Sequence, residues 1–217
     1  MANQQTWRKV FVFMESAAAT AVTIDGLTNA DPAVITHAGT SPSNGDYVRL
    51  NNILGMPEVN NRLFRVAGAT ATTFQLEGLD SQTFGTYNTT TKGNFEVLTL
   101  GTSFDLFVNF DGQGGEANPI DGTLLSDEQD VELPGNKSAV AYTGSAAWDP
   151  ADAGFQAAEV ADSDEVNRGF MVQWPSGYRH LFNGRVSFNG APTGQVRDRV
   201  VTPFSVRALG KGTNYAS

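Results

Sequence analysis

The residues that could carry out chemistry in this sequence are few, and their spacing matches no catalytic pattern. The 217-residue chain has no cysteine and two histidines, His37 and His180. The missing cysteines exclude disulfides, thiolate nucleophiles and iron–sulfur clusters, and two histidines leave little from which to build a zinc site. Neither a Gly-x-Ser-x-Gly sequence nor a metalloprotease motif is present. We therefore expect no catalytic residue, no metal site and no cofactor.

Carboxylates are plentiful, and paired carboxylates are the machinery of glycoside hydrolysis. The densest run, residues 127–132, lies in turn-rich sequence of the kind that usually forms a solvated face. The glycine-rich segment 111–115 lacks the ligand spacing of a calcium loop and the Lys-Ser/Thr pair of a phosphate-binding loop. It is predicted to be a turn or a flexible loop. An enzyme is thus the least favoured function, and His180 beside Arg179 is interpreted as a surface or interface residue.

Charge is distributed unevenly along the chain, whose net charge is −9. Residues 1–167 carry 7 basic and 22 acidic side chains, whereas residues 168–217 carry 7 basic and 1 acidic side chain. An acidic chain is a poor electrostatic ligand for nucleic acid, because phosphates attract Lys and Arg. These segments, with net charges of −15 and +6, can pair with each other within one fold or between copies stacked head to tail. Contacts of the second kind generate rings and filaments.

The elements that would position these groups are predicted to be mostly β-strands. A charged fraction of 17%, with 23 glycines and 9 prolines, favours turns over helices. After a first strand over residues 6–14, short strand-like segments between residues 22 and 76 indicate a small all-β unit. Longer strands are predicted further along the chain, over residues 95–110, 170–174, 181–188 and 200–208.

One helix is predicted, with Asp149 as its N-cap and its end at Ala161. In the strand over residues 200–208, apolar and polar side chains alternate, which places Arg207 opposite the core. The apolar stretch 10–14 is too short for a signal peptide, and no run approaches the roughly 20 apolar residues that span a bilayer. We expect a soluble protein that does not insert into membranes.

The sequence between residues 22 and 87 has a distinctive order of strands and turns. It consists of Ile24–Thr36, Asn44–Asp46, Gly55–Val66, Thr73–Glu77 and Phe84–Tyr87. This pattern resembles a short β-module of tailed-phage virion proteins, named after its similarity to the first catalytic cysteine half-domain of ubiquitin-activating enzyme. Residues 40–42 replace the usual His-Gly-Leu of the module, and without cysteine none of the ubiquitin-activating chemistry carries over.

The segments that flank this module resemble siphophage major tail tube proteins, most closely over Phe188–Gln195 and Asp198–Arg207. The resemblance implies a mostly-β fold: a tail-tube-like β-sandwich of residues 1–20 and 95–217, with one flanking α-helix. The small all-β module would be an insertion over residues 21–94. Six copies would form a ring, and stacked rings would form a tube through which the viral genome passes.

This resemblance also implies partners and a location. The chain would bind itself, the tape measure protein, the tail terminator and distal tail proteins, and viral double-stranded DNA would pass without tight binding. It would reside in the virion tail after assembly in the host bacterial cytoplasm. The alternative is a tail-tip or virion-decoration module, an adhesin that recognises host surface glycan. That alternative explains the module and the aromatic content but not the charge split.

Charged residues are the candidate functional residues of a tube subunit. Carboxylates along the lumen would repel phosphate through their summed field. The candidate lumen-facing residues are Asp105, Asp111, Glu116, Asp121, Asp127, Glu128 and Asp130. The candidate basic residues between stacked rings are Arg179, Arg185, Arg197, Arg199 and Arg207.

Overall fold

A computed structural model describes residues 6–124 and 128–216, which form sixteen β-strands and one α-helix. The strands are β1 (Phe11–Met14), β2 (Ala17–Ala18), β3 (Val22–Leu27), β4 (Val34–His37), β5 (Tyr47–Asn51), β6 (Leu63–Ala67), β7 (Thr73–Leu76), β8 (Asn94–Thr99), β9 (Thr102–Ser103), β10 (Phe107–Gln113), β11 (Ala117–Asp121), β12 (Glu132–Lys137), β13 (Ala141–Ala147), β14 (Arg168–Gln173), β15 (Arg179–Phe188) and β16 (Val201–Tyr215). The helix is α1 (Ala153–Ser163). The predicted mostly-β, sandwich-like fold with one helix is confirmed.

Seven of these strands form the first sheet, which is antiparallel and has the order β10-β13-β16-β15-β14-β1-β9. Along β16, Phe204 and Val206 are buried and Arg207 is exposed, as the alternation predicts. The sheet bends over its own core, because Trp7, just before β1, meets Phe110 of β10 with ring centroids 6.2 Å apart. Strands near opposite ends of the order therefore share one core, as the two layers of a sandwich do.

The second sheet closes into a small barrel. Its strand order is β2-β8-β3-β4-β7-β6-β5, and β8 also pairs with β5, so the strands from β8 to β5 form a closed ring. Phe95 of β8 and Phe74 of β7 are fully buried and meet edge to face, with ring centroids 4.9 Å apart. Closure leaves these strands without an open edge.

Helix α1 begins later than the sequence predicts. Asp152, not Asp149, is the N-cap, and its carboxylate accepts a hydrogen bond from the backbone N–H of Phe155 at 3.0 Å. Asp149 accepts a backbone N–H two residues further on and so stabilises a separate turn. Both aspartates suit an N-cap. The packing of Phe155, whose ring lies 4.9 Å from that of Phe188, favours the later start.

Strand pairing also lengthens two elements beyond their predicted bounds. Segment 111–115 is predicted to be a loop, but residues 111–113 continue β10 because they pair with β13. The last strand continues past residue 208 to Tyr215 and pairs with β15. Glycine weakens a strand, and in both segments the hydrogen bonds to the neighbouring strand outweigh this effect.

A separate two-stranded hairpin, β11 with β12, follows β10. Every residue of β11 is exposed, as is every residue of β12 except Gly135. We refer to this hairpin and the described residues that connect its strands, residues 117–124 and 128–137, as the arm.

Candidate functional site

The barrel and the first sheet meet at an apolar junction. Leu63 and Leu98 of the barrel pack with Met171, Leu181 and Tyr215 of the first sheet, and all five side chains are buried. Burial of this kind fixes the orientation of two units, because separating them would expose apolar surface to water.

Tyr215 is the centre of the polar contacts at this junction. Its hydroxyl oxygen accepts a hydrogen bond from the backbone N–H of Arg65 at 2.9 Å, and the Arg65 guanidinium lies 4.8 Å from its ring centre. Burial raises the pKa of Tyr215 to about 12, so the phenol remains neutral. The hydroxyl of Thr213 donates to the carbonyl oxygen of Leu63 at 2.6 Å. The end of β16 is thereby attached to the barrel.

Arg49 forms an ion cluster that joins the two units. Its guanidinium donates to Glu15 at 2.8 Å, to Glu96 at 2.7 Å and to the carbonyl oxygen of Asn167 at 3.1 Å. Glu15 also accepts the backbone N–H of Gly169 at 2.8 Å. The side chains of Arg49 and Glu15 are only 9% and 2% exposed. One cation therefore connects the barrel to the segments beside β1 and β14.

Small polar side chains form one surface of the first sheet across four adjacent strands. The register aligns one row of this surface, which contains Asp111 of β10, Thr143 of β13, Ser205 of β16 and Ser187 of β15. Phe204, next to Ser205, is buried, so this row lies on the side away from the core. We refer to this surface as the flat face.

The adjacent row of the flat face contains Gln113, Ala141, Arg207 and Arg185. Arg185 and Arg207 are exposed and lie directly opposite each other, which is unfavourable without a compensating charge. Arg185 pairs with Glu165. The flat face thus brings together one candidate lumen carboxylate, Asp111, and two candidate inter-ring arginines.

The other acidic candidates lie on exposed segments before and after β10. Those within the described residues are all exposed: Asp105, Glu116, Asp121, Glu128 and Asp130. Asp105 precedes β10, and the other four lie on the arm or next to it. Asp127 is outside the described residues.

The remaining basic candidates occupy two different places. Arg179 begins β15 and donates to the hydroxyl of Tyr47 in the barrel at 2.8 Å, so it lies at the junction. Arg197 and Arg199 are exposed in the connection between β15 and β16, where all of residues 191–200 are exposed.

Both histidines take part in packing. His180 is half-buried in the first sheet, where its Nδ1 donates to Asn214 and its Nε2 accepts from the Tyr142 hydroxyl, each at 2.6 Å. Burial lowers the pKa of His180. His37 is buried in the barrel, 5.3 Å from the ring of Phe95. Residues 6–124 and 128–216 contain no group of three or more His, Cys, Asp or Glu side chains placed to hold a metal ion.

The arm combines exposed charge with exposed apolar side chains. Ile120 and Leu133 lie directly opposite each other in the hairpin and are 58% and 51% exposed. A two-stranded hairpin by itself is marginally stable in water, and an apolar patch rimmed by polar residues commonly marks a contact with another chain. In the part of the chain that is described, no helix is long and apolar enough to cross a membrane.

The fold defines a class of protein, a mostly-β protein in which a small barrel packs against a larger antiparallel sheet. The comparison with known families identifies the family. Residues 54–217 match the family described as phage tail tube protein, TTP. The match covers more than half of the chain, which therefore belongs to the phage tail tube protein family and is a structural component of a bacteriophage tail. No curated protein matches the chain.

Proposed function

We propose that six copies of this chain close into a ring and that rings stack into a tube whose lumen conducts viral double-stranded DNA. The observation that carries the proposal is the open edge of the first sheet. Among the described strands, β10 is outermost, so its outward N–H and C=O groups can pair with a neighbouring subunit. The same contact repeated around a closed ring would leave no β10 edge exposed.

The flat face supports a role as the lumen wall. Short side chains such as Thr143, Ser187 and Ser205 give a passing duplex little to bind. Affinity for DNA comes mainly from Lys and Arg at phosphates. Of the two arginines on this face, Arg185 is paired with Glu165 and Arg207 is exposed, so the neighbouring carboxylates must outweigh the charge of Arg207. We place the acidic candidates of residues 105–132 on or near this wall, where their summed field would repel phosphate.

The arm supports stacking of rings, because its exposed apolar pair, Ile120 and Leu133, would be covered by the next ring. The basic segment 168–217 of one copy would face acidic residues of another. We assign the barrel to the inserted module, carried away from the lumen, since its core cluster draws only on residues 22–97. The tape measure protein, the tail terminator and distal tail proteins would be the partners, and assembly would take place in the host cytoplasm.

Assembly of the purified protein tests this function. We expect six-subunit rings in native mass spectrometry and tubes in negative-stain electron micrographs. Salt at 1 M shortens the Debye length to about 3 Å and should shorten the tubes if ion pairs between rings contribute. Protein that remains monomeric at every concentration would contradict the proposal.

DNA passage tests the lumen wall. Lysine at Glu116, Asp121 and Asp130 should leave tubes intact but slow DNA ejection from virions complemented with the variant, because the summed field is reversed locally. A matched control carries the same charge change on exposed barrel residues, Asp31, Glu58 and Asp80. Equal ejection rates for the two variants would show that Glu116, Asp121 and Asp130 do not face the DNA.

A further inference from the structure

An open apolar cleft separates the beginning of β1 from the outer edge of β10. It has a volume of about 240 Å³ and is lined by Trp7, Val10, Val12 and the β10 residues from Phe107 to Asp111. Trp7 and Val108 at its rim are 61% and 53% exposed. Exposing apolar side chains of this size to water is unfavourable, so the cleft is suited to receive an apolar side chain that would cover them.

The connection between β15 and β16 presents such a side chain. Val196 is 92% exposed, the highest value among the large exposed hydrophobic residues described. It lies at the tip of a turn closed by a hydrogen bond from the Asp198 N–H to the Gln195 carbonyl oxygen at 3.0 Å. Arg197 follows at φ 79°, a left-handed conformation that favours glycine at the third position of a type II turn. Arginine adopts this conformation at an energetic cost.

The β10 side of the cleft is acidic and the turn at Val196 is basic, whereas Arg8 and Lys9 are exposed on the β1 side of the cleft. Asp111 lines the cleft, and Asp105 is exposed just before β10. Arg197 and Arg199 follow the tip of the loop and are exposed, and with Asp198 between them the three residues carry a net charge of +1. Because Val196 is almost fully exposed, the loop does not occupy the cleft of its own subunit. A second copy of the chain supplies both an apolar side chain, Val196, for this cleft and basic side chains for its carboxylates.

We propose that Val196 of one subunit inserts into the cleft between β1 and β10 of the next subunit, with Arg197 and Arg199 beside its Asp105 and Asp111. The loop that inserts and the cleft that receives it are different surfaces of the subunit, so the contact is heterologous and can close a ring. This inference rests on the proposed function and specifies the contact within a ring. It assigns Arg197 and Arg199 to neighbours in one ring, whereas the sequence suggests a place between rings.

Cysteine cross-linking tests this contact without background, since the chain has no cysteine of its own. The double variant Val196→Cys, Val108→Cys should give, under oxidising conditions, a ladder of disulfide-linked oligomers that ends at six. The matched control pairs Val108→Cys with Val160→Cys, a valine on α1 that is 59% exposed, and should give no ladder. If wild-type tubes form and the first pair gives no more cross-linking than the control, this contact is refuted while the proposed tube function stands.

A mixing experiment provides a second readout. Val196→Asp should prevent the loop from inserting, and Val108→Asp should prevent the cleft from receiving it. Each variant should leave the circular dichroism spectrum unchanged because both side chains are exposed. Each variant alone should remain monomeric. An equimolar mixture should form heterodimers, because the intact loop of the Val108→Asp variant can insert into the intact cleft of the Val196→Asp variant. Ring assembly by either single variant at the wild-type concentration would overturn the proposal.

Discussion

Replacement of Arg49 by methionine should reveal how strongly the junction between barrel and first sheet depends on one cation. Arg49 is the shared partner of Glu15 and Glu96, and it also donates to the carbonyl oxygen of Asn167. Methionine fills a similar space but leaves the nearly buried carboxylate of Glu15 without a counter-charge. Removing one member of a buried ion pair typically costs about 3–5 kcal/mol.

The expected loss can be expressed as a melting temperature. A domain of 150–250 residues loses roughly 2–4 °C for each kcal/mol, so Arg49→Met should lower Tm by about 6–20 °C. Calorimetry and urea unfolding of unassembled protein would measure it. Arg49→Lys keeps the charge but not the forked geometry, so its Tm should lie between those of Arg49→Met and the wild type.

A matched control removes an exposed ion pair from the same barrel. Lys92 binds Asp25 at 2.7 Å, but these side chains are 44% and 35% exposed, so Lys92→Met should leave Tm nearly unchanged. Adding Glu15→Gln to Arg49→Met should recover part of the lost stability, because the uncompensated charge is then gone. If Arg49→Met is no more destabilising than Lys92→Met, the cluster does not hold the junction.

Three further predictions concern single residues. A methyl group at Gly55, whose φ is 84°, would overlap the carbonyl oxygen of Thr86. Gly55→Ala should therefore lower the free energy of unfolding, measured in urea, by about 3 kcal/mol or more. The control Gly45→Ala, at φ 91° with open space around it, should lower it by only about 1 kcal/mol. His180 has a lowered pKa in the folded state, so its contribution to stability is complete above its unfolded pKa of roughly 6.5 and is lost as the pH falls below it; His180→Gln should flatten this part of the pH dependence of unfolding, and an unchanged slope would contradict the assignment. Asp152→Ala should cost about 1 kcal/mol and Asp152→Asn much less, because asparagine keeps the capping oxygen; equal losses would exclude an N-cap role.

The sequence by itself determined the features that depend on residue type or on local periodicity. The absence of cysteine and the scarcity of histidine exclude most site chemistry. The glycine and proline content indicates a β-protein, and the alternation along residues 200–208 assigns Phe204 to the core and Arg207 to the surface, as the structure confirms. The tail tube resemblance, carried by residues 188–207, is confirmed at the level of the family.

Local patterns did not determine which strands pair. The strand-like sequence that begins at Phe95 is predicted to belong to the flanking β-sandwich, and its position in the barrel core follows from the pairing of β8 with β5 and β3. Such pairing depends on residues distant in the chain, and a shift of register would reverse every side chain of the strand. The continuation of β16 to Tyr215 has the same cause.

Only the tertiary structure decided which charged residues act alone and which act together. Glu15 appears in the sequence merely as the end of an apolar stretch, yet it shares a buried cluster with Arg49 and Glu96. Asp111 and Arg207 belong to segments of opposite net charge, yet the sheet places both on the flat face. A sequence records the sign of each charge, but the free energy of a charge depends on its depth and its neighbours, which exist only once the strands have paired.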